Sequence, residues 1–452
     1  MMNFKLTTLK TALAASLALT ASSSFAMDLM AAYQKALSAD PSLQAADAAL
    51  IAGREKTVQA RSLFKPQVAL SASLAQSESR SSSSLPAPLA ELNQGQGSGQ
   101  MHQVALQMVQ PLYNAKSRAD QQQLQQQAAL ADIQHRQAQQ DLMERVSEAY
   151  FGVLLAQEAL RVVRAEEAAV QLQRERAQAR FEVGRGKITE VQETQARYDS
   201  VLTREVSAQS TLELRRAQFR ELTGVAAEGL VELGAGFVPL LPAPTSLQAW
   251  QDRGMDGNTR VLVKQSELEI ATAEIGKYKL SGRPTLDLVA SYTDKGQHGG
   301  LSGGITPDRS RAAMLGLQLN VPLYTGGALN SREREAIAKQ RQAESELSAA
   351  KRDARLKVQD AYLSVQTGVS RIHALDQQQR SAQTALEATV LGRDVGNRTE
   401  LDVLDAQQRL FSAQLDLAQA RYDYLLGRVH LGAAAGDLSE ADLRALNAWL
   451  GG

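Results

Sequence analysis

Two carboxylates in the segment VGNRTELDVLDAQQRL, residues 395–410, stand close enough along the chain to act together. Asp402 and Asp405 are three positions apart, which places them one turn apart on the same face of a helix. Paired carboxylates serve in acid–base catalysis and as metal ligands. No histidine lies near them in sequence, and Arg398 stands in the preceding turn. Their chemistry therefore depends on what the surrounding elements place beside them.

The other residue types that commonly carry catalysis form no recognisable site in the sequence. The chain has no cysteine, which excludes disulfides, thiolate metal sites and cysteine nucleophiles. No HExxH spacing occurs. The glycine-rich stretch GGLSGGI, residues 299–305, lies between two predicted strands, and no helix follows it as a nucleophile elbow or a phosphate-binding loop would require. The histidines are scattered at His102, His135, His298, His373 and His430. We therefore expect no enzymatic activity, no cofactor and no resident metal ion.

The N-terminus predicts an exported protein, and the overall charge argues against a nucleic-acid partner. Residues 1–26 combine Lys5 and Lys10 with a short apolar stretch and a small-x-small site ending at Ala26, as in a signal peptide. Roughly ten apolar residues are too few to span the ~30 Å hydrocarbon core of a membrane. The formal net charge is +0, whereas a nucleic-acid binder usually carries a basic stripe.

The chain repeats itself, and the paired carboxylates lie in the second copy of a repeated segment. FEVGRGKITEVQETQAR, residues 181–197, matches RDVGNRTELDVLDAQQR, residues 393–409, so that Glu193 stands opposite Asp405. This indicates a duplicated half-molecule, far longer than a solenoid repeat of 20–50 residues. The predicted parts are the signal peptide 1–26, a first repeat 27–235, a proline-containing linker 236–246, a second repeat 247–436 and a C-terminal segment 437–452.

Each half is predicted to contain a helical hairpin, over residues 115–223 and 329–433, with a glycine-containing turn between its helices. Apolar side chains recur at spacings of three and four, which is typical of coiled coils. They are Val146, Ala149, Tyr150, Val153 and Leu154, and in the second hairpin Val358, Tyr362, Val365, Val369 and Ile372. Much of the remaining helical surface is polar, which suits a wall with water on two sides.

Four short segments alternate apolar and polar residues as strands do, at about 66–76, 103–112, 284–293 and 313–323. This alternation fits the lipid-facing staves of an outer-membrane barrel, and equally a half-buried soluble sheet. Four strands are too few to close a barrel, for which about eight is the smallest size. An open sheet edge is not tolerated in a bilayer. If the strands span lipid, several chains must therefore share one barrel.

The mature sequence resembles the TolC-type outer-membrane efflux and secretion channels, the outer membrane efflux protein family. The resemblance lies in the duplicated halves, KPQVAL and RPTLDL, QPLY and VPLYTGG, VGNRTELDVLDA and the ending SEADLRALNAWL. It implies a mainly α fold with a small transmembrane β-barrel part. Three chains would form a twelve-stranded barrel that is continued by a long α-helical coiled-coil barrel. Residues 236–246 and 437–452 would form a girdle around the helices.

The resemblance also implies a function, which is an outer-membrane channel whose helical part lies in the periplasm. Such a channel docks an inner-membrane transporter of the ABC or RND type and a periplasmic adaptor, and it exports drugs or proteins. The alternative is a periplasmic coiled-coil adaptor or structural scaffold. That class would share the signal peptide and the heptads but would lack duplicated lipid-facing strands.

The resemblance gives the opening carboxylates a role at the closed periplasmic aperture. Residues matching Asp402 and Asp405 form rings there, with three chains giving six carboxylates. Rings of like charge raise one another's pKa and attract cations, so we expect cation selection and cation block at this site. The alternative is that Asp402 completes a capping box that begins at Thr399.

Contacts that close the aperture are predicted from the same match. The residues are Thr189, Glu190, Glu193, Arg393 and Arg398. Arg393 replaces a tyrosine of the family, and Glu190 replaces its aspartate on the facing turn, so a Glu190–Arg393 ion pair is expected in place of a neutral hydrogen bond. An exposed ion pair contributes only ~0–1 kcal/mol, so the closed state is expected to open more readily or to depend on salt.

Overall fold

The computed structural model of the chain describes residues 27–81, 95–234, 236–299 and 309–451. The predicted signal peptide lies outside these residues. The helices are α1 Leu29–Ala39, α2 Pro41–Ser62, α3 Ala115–Glu182, α4 Ile188–Thr223, α5 Leu247–Gly257, α6 Thr259–Ser281, α7 Ala328–Asp394, α8 Glu400–Ala435 and α9 Glu440–Asn447. The strands are β1 Gln67–Ser81, β2 Gly95–Asn114, β3 Thr285–Gly299 and β4 Arg309–Asn320.

The chain divides into two compact units, and each contains segments from both predicted repeats. The first unit comprises the described residues up to Ala46, with Arg136–Thr259 and Lys351 onward. The second comprises Asp47–His135 and Arg260–Ala350. Helices α2, α3, α6 and α7 contribute residues to both units. Among the described helices, none combines the length and the apolar character needed to cross a bilayer.

The second unit carries one antiparallel sheet in the order β1-β2-β3-β4. Among the described strands, β1 and β4 each have a single neighbour, so both edges of the sheet are open within that part of the chain. The predicted alternation is present, because large apolar side chains on one face of β1 and β4 are exposed by 63–76%. They are Val68, Leu70, Leu74, Leu315, Leu317 and Leu319. A single chain therefore leaves these apolar side chains uncovered.

Three strands are longer than predicted, and the fourth is shorter at its end. Strand β1 continues to Ser81, beyond its predicted end near residue 76, because the backbones of these polar residues pair with the glycine-rich start of β2. Strand β4 ends at Asn320 rather than near residue 323. Its partner β3 begins at Thr285, which pairs with Asn320, and Pro322 has no N–H to extend the ladder.

The core of the first unit is built from the predicted coiled-coil positions. Eight of the ten predicted positions are at most 6% exposed, and the other two, Ala149 and Val369, are partly buried against the same core, which confirms the spacing of three and four. Phe151 and Phe219 add aromatic bulk, and their side chains are at most 1% exposed. Burial of these apolar side chains is the main source of stability for long helices whose remaining surface is polar.

Tyrosine hydroxyls attach the connecting segments to this core. The hydroxyl of Tyr150 lies 3.0 Å from the carbonyl oxygen of Met27 and 2.9 Å from that of Val231. Tyr424 accepts from the Leu240 N–H at 2.8 Å and donates to the Leu240 carbonyl at 2.7 Å. The predicted linker is therefore held to α8 through its backbone.

Replacing Tyr424 with phenylalanine should lower the stability of the first unit by about 1 kcal/mol, because both backbone groups of Leu240 lose their partner. Thermal unfolding followed by circular dichroism measures this as a lower midpoint. Tyr324→Phe is the matched control, since Tyr324 is 88% exposed and the same deletion there should leave the midpoint unchanged. Equal midpoints for all three proteins would contradict the assigned role.

An ion pair between α8 and α3 makes stability depend on pH. His430 Nε2 lies 3.1 Å from Glu148 Oε1, and this hydrogen bond raises the pKa of His430 and lowers that of Glu148. The charges of Glu144 and Asp360 also raise the histidine pKa, while its burial opposes the shift. The pair is therefore fully formed when histidine is protonated and glutamate is ionised.

The His430–Glu148 pair is expected to stabilise the protein at low pH and to lose this effect as pH rises. A raised histidine pKa contributes stability that is complete below the unfolded value of about 6.5 and is lost as pH rises through the folded value. Wild type should thus exceed His430→Gln in unfolding midpoint near pH 6, and the gap should close by about pH 8.5. Both side chains are about half exposed, so the effect should stay below ~1 kcal/mol. A gap that widens with pH would contradict the pairing.

Candidate constriction site

The two turns that precede α4 and α8 fold alike, as their repeated sequences require. Gly184 and Gly396 adopt φ angles of 73° and 82°, a left-handed region that favours glycine. In the second turn, Gly396 N–H donates to the Arg393 carbonyl at 2.9 Å and Asn397 N–H donates to the Gly392 carbonyl at 2.8 Å. The first turn has the same pattern, which closes each long helix and reverses the chain.

Asp402 caps the start of α8. One carboxylate oxygen accepts from both the N–H and the hydroxyl of Thr399, at 2.8 Å each, and Asp402 N–H donates to the Thr399 hydroxyl at 3.1 Å. The capping box of Thr399 and Asp402, which was the alternative role for Asp402, is therefore present in the structure. The hydrogen bonds from Thr399 lower the pKa of Asp402, with a smaller effect from Arg398 at 4.0 Å. Within one chain this is opposite to the rise expected for a carboxylate ring.

Asp405 lines a cavity together with Glu193 of α4. The cavity has a volume of about 330 Å³, and it is also lined by Arg197, Leu401 and Leu404. Asp405 is exposed and takes no part in capping. Glu193 and Asp405 occupy matching positions of the repeat, so the duplicated helices present equivalent acids to the same space. In the part of the chain that the structure describes, no three acidic or histidine side chains converge as metal ligands.

A buried carboxylate that the sequence analysis did not select joins the ends of the two hairpins. Glu400 begins α8, and its side chain is 3% exposed. Its Oε2 lies 3.1 Å from Arg180 Nη2 at the end of α3, and its Oε1 lies 3.4 Å from Arg393 Nη1 at the end of α7. Arg393 also contacts Asp394 at 2.7 Å. We call Arg180, Arg393 and Glu400 the tip clasp.

The expected Glu190–Arg393 ion pair is absent from the described residues. The side chain of Arg393 is only 10% exposed, because it turns toward Glu400 and Asp394 of its own hairpin. Glu190 lies in the first turn of α4, where a negative charge is favourable at the helix start. Thr189 and Arg398 are exposed in the single chain. The structure thus pairs Arg393 with a different acid from the one predicted.

The repeat contained a signal for the tip clasp. Aligning residues 181–197 with 393–409 places Phe181 opposite Arg393 and Ile188 opposite Glu400. Two apolar residues in the first half are thus replaced by opposite charges in the second. Phe181 and Ile188 are 40% and 50% exposed, whereas Glu400 is buried. A paired exchange of this kind predicts a contact between the two charged residues.

Comparison with known proteins places these features in a family. The family model described as "Outer membrane efflux protein" matches residues 32–225 and 255–437. The outer membrane protein TolC of Vibrio cholerae is 32% identical over 436 residues, which cover 96% of this chain and 97% of that protein. The alkaline protease secretion protein AprF of Pseudomonas aeruginosa is 30% identical over 421 residues, which cover 93% of this chain and 86% of that protein.

A solved structure shares the fold. The outer membrane protein VceC from Vibrio cholerae matches with a TM-score of 0.74 at 20% identity, covering 90% of this chain and 96% of that chain. The mainly helical chain with a four-stranded sheet, as seen in the described residues, therefore has the same fold as this solved structure.

Proposed function

Because this chain belongs to the outer membrane efflux protein family, we propose that three copies assemble into one export channel. Each copy would contribute its four strands to a single twelve-stranded barrel in the outer membrane. The helices would form a coiled-coil barrel in the periplasm, and the linker 236–246 and the tail 437–452 would surround it. The two sequence halves, 27–235 and 247–436, would be copies of one ancestral unit.

One observation carries this proposal, namely a four-stranded sheet with open edges and an uncovered apolar face. Unpaired edges are not tolerated in a bilayer, so β1 and β4 require partners from other chains. Exposed leucines such as Leu74 at 76% and Leu315 at 72% suit contact with lipid. A periplasmic adaptor or scaffold does not contact lipid through a sheet, so it would not need an exposed apolar sheet face.

The ends of the hairpins suit contact with a partner protein. Exposed apolar side chains cluster in sequence around both turns, at Phe181, Val183, Ile188, Leu391, Val395 and Leu401. Exposed apolar groups of this kind mark sites of protein association. We assign this surface to neighbouring copies in the closed channel and to a periplasmic adaptor of an inner-membrane ABC or RND-type transporter. The cargo would be drugs or secreted proteins, since AprF is named for protease secretion.

The aperture would be lined by Asp402 and Asp405, with Glu193 on the facing wall of the same cavity as Asp405. Three copies would give a ring of carboxylates that selects cations and binds multivalent cations as blockers. Thr189 and Arg398 are exposed in the single chain and Glu190 is partly exposed, so all three could contact a neighbouring copy. The tip clasp would hold the hairpins together when the aperture is closed.

Deletion of the gene, followed by complementation, tests the proposed function. The deletion strain should gain drug sensitivity or lose one or more secreted proteins, and the wild-type gene should restore both. A complementing gene that lacks β4 tests the sheet directly, because its product cannot close a barrel. Full restoration by that gene, or recovery of the wild-type protein in the detergent-free soluble fraction, would contradict the proposal.

A further inference from the structure

The lipid-facing side of the sheet continues beyond its apolar residues into a charged cluster. On β3 the apolar side chains of Leu286, Leu288 and Tyr292 alternate, and the next residue on that face is Asp294. On β4 the same face carries Leu319, Leu317 and Leu315, followed by Arg311 and Arg309. The register pairs Asp294 with Arg311, so the three charged residues lie side by side.

The cluster has a defined geometry and an excess of positive charge. Asp294 Oδ1 lies 3.0 Å from Arg309 Nε, and Asp294 Oδ2 lies 2.6 Å from Arg309 Nη2 and 3.2 Å from Arg311 Nε. One carboxylate thus positions two guanidinium groups. Both arginine side chains remain 59% exposed, whereas Asp294 is 21% exposed. Both terminal nitrogens of Arg311 are without a partner in the described part of the chain.

Two histidines extend the cluster along the same face. His102 of β2 pairs with Gly296, which also pairs with Arg309. A side chain at Gly296 would clash with the His102 ring, since its Cβ would lie 2.2 Å from a ring carbon. The glycine therefore allows His102 to lie across β3 toward the charged residues. The ring of His298 lies 5.7 Å from that of His102.

The position of the cluster matches the outer boundary of the lipid layer. Ten residues separate Leu319 from Arg309, which is roughly 33 Å along a strand at ~3.3 Å per residue. A barrel strand tilted by ~40° rises about 25 Å over that length, which equals the height of a typical apolar band. β2 and β4 lead into the long helices α3 and α7 from the opposite end of the sheet, so the cluster lies at the end away from these helices.

We propose that Arg309 and Arg311, held by Asp294 and flanked by His102, bind the phosphate group of an anionic lipid in the outer leaflet. This inference depends on the proposed membrane barrel. The planar guanidinium forms paired hydrogen bonds with phosphate oxygens, and lipid headgroups are what this face meets at the membrane boundary. Asp294 holds both guanidinium groups by hydrogen bonds, which reduces the side-chain entropy lost when a phosphate binds.

Native mass spectrometry of the full-length protein in lipid nanodiscs tests the inference, with diphosphorylated lipid A and its dephosphorylated form as probes. Wild type should retain the phosphorylated lipid at least fivefold more than the dephosphorylated one. The variant R309Q/R311Q should lose that preference. The control R283Q/K295Q removes two charges elsewhere, before β3 and on its opposite face, and should keep it. Inorganic phosphate at millimolar concentration should not displace the lipid.

Three results would overturn the inference. They are equal retention of the two lipids by wild type, an unchanged preference in R309Q/R311Q, and release of the lipid by free phosphate. Ion conductance across planar bilayers separates this inference from the proposed function. A wild-type protein that conducts but shows no lipid preference overturns the lipid site alone, whereas a protein that neither inserts nor conducts overturns the channel.

Discussion

Glu400→Gln is expected to raise the single-channel conductance in planar bilayers several-fold. The amide keeps the shape of the side chain but removes the charge that Arg180 and Arg393 share, so two guanidinium groups at the hairpin ends lose their counter-ion. Removing one partner of a buried ion pair costs a few kcal/mol, because the remaining charge is left uncompensated. Arg180 is 42% exposed, and Arg393 retains its contact with Asp394. The free-energy cost of the substitution is therefore expected to lie at the lower end of this scale.

A matched control separates the tip clasp from a general charge effect. Glu221→Gln makes the same chemical change at an exposed position of α4, and it should conduct as wild type does. Arg180→Gln should reproduce part of the increase, because it removes the only contact of the clasp that joins α3 to α8. A wild-type conductance for both Glu400→Gln and Arg180→Gln would show that the clasp does not hold the closed state.

Asp405→Asn is expected to reduce the preference for cations over anions several-fold. In the proposed trimer this change removes three of six carboxylates at the narrowest point, where a ring of charge has its largest effect on permeating ions. Asp405 takes no part in capping α8, so the helix should remain intact. The measurement is the reversal potential in a tenfold gradient of potassium chloride, with block by a multivalent cation recorded in parallel.

Comparison with two further variants assigns the effect to the aperture. Asp353→Asn removes an exposed carboxylate far along α7 and should leave the reversal potential unchanged. Asp402→Asn should alter selectivity and also weaken the capping box that Asp402 forms with Thr399. An unaltered reversal potential in Asp405→Asn would exclude this residue from the ion path.

The features that depend on local spacing were predictable from the sequence. Thr399 and Asp402 are three residues apart, which is sufficient to predict the capping box. Val146, Val153, Val358 and Val365 follow the spacing of a coiled coil, and each is fully buried. The alternation of β4 likewise predicted which face would carry leucines. In each case the deciding interaction lies within a few residues of the chain or follows its period.

The features that depend on distant contacts were not predicted. Glu400 is 220 residues from Arg180, and an acid in the first turn of a helix is normally explained by the helix dipole alone. Its burial becomes evident only when the end of α3 lies beside the start of α8. Arg393 contacts the nearer acids Asp394 and Glu400 in the described chain, and its contact with Glu190 stays a prediction.

Strand length was underestimated for a related reason. The sequence around Ser77 to Ser81 is polar and lacks the β-branched residues that favour strands. Its backbone nevertheless continues to pair with β2, because an antiparallel ladder that is already in register extends at little further cost in chain entropy.

The number of chains in each conducting unit tests the central claim most directly. The chain has no cysteine, so a single cysteine introduced at the exposed Glu228 attaches one dye to each copy. Photobleaching of single labelled pores, with current recorded from the same bilayer, should show up to three steps for every conducting unit. Conducting units that never exceed one step would contradict a barrel shared by three copies.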